Sequence, residues 1–174
     1  MRRRSRKADA KVAVTTTGGP HAGVFTATIR RRAEKMVASL ELGPVEVSVA
    51  LVDDSTMREL NRSYRGYDKP TDVLAFALRE GEAFAPVDEE PLGDVIVSIP
   101  TARRQAAARR RSVLDEVTML VAHGLLHLLG YDHATKAEEK VMTAKTRELE
   151  AAAVARHRSA ASMTRSARKK VVRR

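Results

Sequence analysis

Apolar residues alternate with small or polar ones through Val45-Glu46-Val47-Ser48-Val49-Ala50-Leu51-Val52, the period-two pattern of a half-buried strand. A shorter β-branched run, Lys11 to Thr17, predicts a weak edge strand before the turn Gly18-Gly19-Pro20. Between them the period lengthens. Ile29, Met36, Val37 and Leu40 predict one face of a helix over Val24 to Leu42, with Arg30-Arg31-Arg32 turned largely to solvent and Gly43-Pro44 ending it. Ser55 is placed to cap a second helix through about Ser63. Asp72 to Leu78 and Asp94 to Ile99 read as two more strands, joined by an acidic stretch from Glu80 to Pro91 expected as a long loop or an extended hairpin end. Pro100 is expected to stop the last strand. Thr101 to Arg111 then reads as a helix, Ser112 as the cap of a long apolar one, and Lys136 to about Ala155 as a final helix opened by Glu138 and Glu139. Strands that come early and helices that gather late predict an α+β layer architecture over a doubly wound one.

Composition narrows the class. The 174 residues suit a single core. With no cysteine, neither disulfides nor thiolate ligands are available, so any metal must be held by nitrogen and oxygen, which suits a reducing cytoplasm. The most apolar stretch, around Val117 to Tyr131, is shorter than a membrane span and is interrupted by two histidines. The basic amino terminus has no apolar region behind it and does not read as a secretory signal, so a soluble cytoplasmic protein is expected.

The net charge of +10 belongs to the ends. Residues 1–11 carry six Lys or Arg against one acid, and residues 156–174 carry eight against none. The remainder, residues 12–155, holds 18 bases and 21 acids and is net negative. The expected organisation is therefore a basic arm (1–11), one domain (12–155) and a basic tail (156–174). Such blocks neutralise phosphates and raise association rates with nucleic acid, or else are solvated tails with no specific partner.

The candidate chemistry lies in His123-Gly124-Leu125-Leu126-His127-Leu128-Leu129-Gly130-Tyr131-Asp132-His133. On a helix His123 and His127 stand one turn apart on one face. Gly130 can take the left-handed conformation that ends a helix, allowing the chain to double back and carry His133 to the same point. Three imidazoles leave one tetrahedral position of Zn²⁺ open, which is the arrangement of a catalytic site. The spacing is that of the His-Glu-x-x-His-x-x-Gly-x-x-His zinc peptidases, but Gly124 stands where their general base would be.

These residues resemble the bacterial YbeY endoribonucleases, or rRNA maturation factors, marked by His-Gly-x-Leu-His-Leu-x-Gly-Tyr-Asp-His. Two further blocks, Leu60 to Phe76 and Leu92 to Ser98, are similar to the family's other signatures in order and spacing, although Ala77 replaces an expected proline. The resemblance spans roughly residues 12–152. It implies a zincin-like fold with a mixed sheet of about four strands, the metal site lying on a late core helix and the turn after it. It also implies a single-strand-specific, metal-dependent endoribonuclease that matures the 16S rRNA 3′ end and serves ribosome quality control, with small-subunit proteins as partners.

Within that reading His123, His127 and His133 hold one Zn²⁺, or another divalent transition metal, and Arg65 aligns with the family's functional arginine. A guanidinium suits a phosphodiester because it gives two parallel hydrogen bonds to phosphate oxygens. Asp132 either takes a proton from a ligand's remote ring nitrogen or bonds its own backbone in a turn. The competing functions are a zinc peptidase of altered mechanism and a non-catalytic ribosome-assembly factor with a structural metal.

Overall fold

The computed structural model describes residues 10–19, 21–78 and 90–155. Through them the chain runs β1 (Lys11–Thr16), α1 (Thr26–Ser39), β2 (Val45–Val52), α2 (Asp54–Arg65), β3 (Val73–Ala77), β4 (Glu90–Ser98), α3 (Ile99–Ala108), α4 (Val113–Leu128) and α5 (Lys136–Val154). The basic tail, nearly all of the basic arm and most of the Glu80 to Pro91 stretch lie outside the described residues, and β1 opens at Lys11, the last residue assigned to the arm.

The α+β class expected from the sequence is present, as one mixed four-stranded sheet in the order β1-β2-β4-β3. β1 and β4 both run parallel to β2, while β3 runs antiparallel to β4 and forms the edge opposite β1. Alternation sorts side chains to two faces. Val45, Val47, Val49, Leu51, Val95 and Val97 join the main core with α1, α4 and α5, whereas Val52, Leu74, Phe76 and Ile96 meet Met57 and Leu60 of α2 on the other side. The helix that ends in Arg65 and the helix that carries His123 therefore cover opposite faces of one sheet.

Several boundaries differ from expectation, each for a local reason. β4 begins at Glu90, because Leu92 bulges between the pairs Glu46↔Pro91 and Val47↔Gly93 and lets the proline-containing segment pair. Gly93 takes φ +137°, and the Phe76 carbonyl oxygen fills the space of any Cβ there. The last strand stops just before Pro100, as expected, but the helix after it begins at Ile99, two residues early: Pro100 lies in the first turn of α3, where its missing N–H forfeits no intrahelical bond, and Ser98 caps that helix. Asp53, not Ser55, caps α2, accepting from the Thr56 N–H at 2.8 Å while Ser55 donates to the same oxygen.

Arg32 turns inward, donating to Asp115 and Thr118 of α4 at 3.0 and 2.6 Å. The first turn of α4 is held further by Glu116, fully buried between Arg109 and Arg111. Burial pushes the Glu116 carboxyl up and the two guanidiniums oppose it. Ser112 caps α4 as the sequence suggests, and Thr135 and Glu138 form a reciprocal capping box on α5. Among the described residues no helix is long and apolar enough to cross a membrane.

Candidate metal and phosphate site

The apolar face of α4 lies on the sheet, and its neighbouring face emerges beside β3 carrying His123 and His127. Their Nε2 atoms are 3.2 Å apart. α4 ends at a left-handed Gly130 (φ +85°), whose N–H donates to the His127 carbonyl while the Tyr131 N–H donates to that of Leu126, both at 3.0 Å. This reversal, the Schellman motif, returns the chain toward the helix. It brings the His133 ring to 5.5 Å from that of His123 and 5.2 Å from that of His127, centre to centre.

One ring nitrogen from each histidine lies within 4.8 Å of the other two, so the three could hold a metal ion. Zn–N bonds of about 2.0–2.1 Å at tetrahedral angles place ligand nitrogens about 3.3 Å apart. The helical pair already has that spacing, and exposed His133 on its turn is free to close the rest.

The electrostatics favour the ligating form. Burial, followed by the neighbouring rings of His127 and His133, lowers His123 to about 4, against a weaker pull from Asp72. His127 is lowered by burial and His133, with Arg65 acting in the same sense and the Tyr131 backbone and Asp132 opposing. Both rings are neutral at pH 7, with a lone pair available to an ion.

The three histidines share a cleft of about 640 Å³ with Asp132, with Tyr64 and Arg65 from the end of α2, and with Thr71 to Ala77 along the free edge of β3. Arg65 and the histidines thus reach around that edge from opposite faces of the sheet. Arg32, Arg58, Arg104, Arg109 and Arg111 are committed to carboxylates. Arg65 makes no hydrogen bond or ion pair among the described residues. Of the two readings of Asp132, the backbone bond is present: its Oδ1 accepts from the His133 N–H at 2.7 Å, and its charge still acts on His127.

Gly124 points the other way, into the sheet. A Cβ there would stand 2.5 Å from Val95 Cγ1 and 3.3 Å from Val73 Cγ2. The position that a peptidase would give to glutamate therefore cannot take a side chain unless Val95 or the helix shifts.

The chain's residues 21–153 match the family model described as Endoribonuclease YbeY. The chain belongs to the YbeY family. An Endoribonuclease YbeY of Geobacillus kaustophilus is 51% identical over 119 residues, 64% of this chain and 76% of that protein. One from Pelotomaculum thermopropionicum is 45% identical over 127 residues, covering 72% and 84%. The solution structure of a Thermotoga maritima protein superposes with a TM-score of 0.57 at 27% identity, covering 94% of this chain and 99% of the other.

The YbeY match includes every residue of the cleft, some of which sequence reasoning missed. Asp72 accepts from the Val73 N–H, the Thr71 hydroxyl and Gln105 Nε2 at 2.8, 3.3 and 2.9 Å, so it anchors the start of β3 beside His123. In the residue pattern, a polar pair ahead of a short apolar run was the only trace of this. Tyr64 and Phe76, an edge-to-face pair on the cleft wall, lie in the Leu60 to Phe76 block, but nothing in their pattern says that the two rings meet.

Proposed function

We propose that this chain is a metal-dependent endoribonuclease that cuts single-stranded rRNA, acting in the cytoplasm on the 16S precursor 3′ end and in ribosome quality control, in contact with small-subunit proteins. The observation that carries the reading is an Arg65 guanidinium with no partner among the described residues, in one cleft with three convergent imidazoles. In a zincin-like arrangement His123, His127 and His133 hold a single ion, zinc or another divalent transition metal. Such an ion supplies Lewis acidity toward water and phosphoryl oxygens when bound.

Arg65 binds the phosphodiester through two parallel N–H···O bonds, orients it in the cleft and meets the charge that grows on its oxygens as the bond breaks. Asp132 holds the turn that presents His133. The arm (1–11) and tail (156–174) flank one domain (12–155) and concentrate RNA near it by neutralising phosphates.

Elemental analysis of untagged protein, paired with cleavage of a 16S precursor with and without chelator, tests this. About one metal per chain, lost in His127→Ala, and cleavage abolished by chelator are expected. Full metal occupancy in His127→Ala refutes the ligand set. Cleavage indifferent to chelator refutes the metal's part in the reaction, and a metal-loaded wild type that leaves RNA intact favours a non-catalytic assembly factor.

A further inference from the structure

We propose that Tyr64, backed by Phe76, is a stacking platform for one unpaired nucleobase beside the phosphate held at Arg65; this deepens the endoribonuclease reading and rests on it. The chain has six aromatic residues among 174, and two of them meet on the wall of this cleft. Their ring centres are 4.8 Å apart at 61°, so the edge of one ring rests on the face of the other. Phe76 is anchored, packing with the Val52, Met57 and Leu74 cluster under α2. Tyr64 is held by that contact yet remains 67% exposed.

Tyr64 and Arg65 are consecutive, with Cα atoms about 3.8 Å apart, and both side chains line the same cleft. A nucleotide whose phosphate lies on Arg65 therefore has its base, or that of the next nucleotide, within reach of the Tyr64 ring. An aromatic face accepts any base, since every base has a π-surface. It accepts only a base that is not already stacked and paired, so the platform selects single strands without selecting sequence. The hydroxyl plays no part, and phenylalanine should serve as well. Tyr67 is the internal control: it is similarly exposed, at 57%, but does not line the cleft.

The test couples a protein change to a substrate change. The metal-loaded full chain, as wild type, Tyr64→Ala, Tyr64→Phe and Tyr67→Ala, is given a single-stranded RNA that the wild type cleaves, in which each nucleotide near the cut is replaced in turn by an abasic one. One abasic position should raise the wild-type KM by about 5- to 150-fold, the factor that corresponds to one base stacked on one aromatic ring. Tyr64→Ala should raise the KM for intact RNA by a similar factor and show no further penalty at that position. Tyr64→Phe, which keeps a ring, should retain the abasic penalty at that same position, and Tyr67→Ala should behave as wild type. Tyr64→Trp, which keeps a ring, separates loss of stacking from loss of folding. An unchanged KM in Tyr64→Ala, or an abasic penalty that persists in it, overturns the platform while leaving the endoribonuclease reading intact. A wild type that cleaves no RNA overturns both.

Discussion

Gly124→Ala tests how closely α4 must approach the sheet. The new methyl would meet Val95 Cγ1 at 2.5 Å and Cγ2 at 3.1 Å, about 1–1.5 Å inside the roughly 3.5–4.0 Å optimum for the nearer carbon. Val95 is completely buried in β4 and, being β-branched, is stiff at χ1. Relief must come from lifting the helix, one residue from His123 and three from His127. Overpacking of this kind costs about 1–3 kcal/mol, and replacing a mid-helix glycine returns about 1 kcal/mol of propensity. With a rigid neighbour the expected net loss is about 1–2 kcal/mol, or about 2–8 °C in Tm for a domain of this size. Urea and thermal melts of the metal-free protein measure it. Val95→Ala destabilises by itself, yet combined with Gly124→Ala it should recover at least about 1 kcal/mol relative to the sum of the two losses, because the clash disappears. If Gly124→Ala melts at or above wild type and the losses simply add, the close-approach argument is wrong.

Arg65→Ala should retain metal and melting temperature but lose about 2–4 kcal/mol of transition-state stabilisation in RNA cleavage, with lysine a poor substitute because it lacks the guanidinium fork; wild-type rates in a preparation free of contaminating ribonuclease would falsify the assignment. Removing residues 1–9 and 156–174 should weaken RNA binding and flatten its salt dependence while leaving metal content unchanged, and an unaltered salt titration would make the ends passive. Metal-free stability should fall as pH drops from about 6.5 toward 4, since His123 is held at about 4 when folded and the unfolded chain takes the proton first. Urea midpoints for His123→Gln should fall less over that window. Comparing the two cancels Glu116, whose raised carboxyl runs in the opposite sense, and parallel curves would count against a neutral buried His123.

Local rules carried the histidine cluster a long way. The four-residue spacing of His123 and His127 is a property of any helix, and a glycine three residues later is what a helix needs to reverse, so both were legible without knowing what the helix packs on. The alternation in β2 and the Ser112 cap were equally local. The Asp53 cap, the early start of α3 and the early start of β4 depart from local rules because their outcome depends on which neighbouring group is free to accept, pair or be left unpaired. Arg32 turned inward only because α4 brought Asp115 and Thr118 beneath it. Residues 60–76 pointed to Arg65 by resemblance alone, since nothing in their pattern says that α2 and α4 cover opposite faces of a sheet and meet around its β3 edge. Strand order decides that, and strand order is a global competition among pairings with no one segment to record it. The amino-acid sequence by itself determined the three-histidine cluster and the turn that gathers it; the tertiary structure decided that a guanidinium without a partner among the described residues and an exposed tyrosine would line one cleft with that cluster.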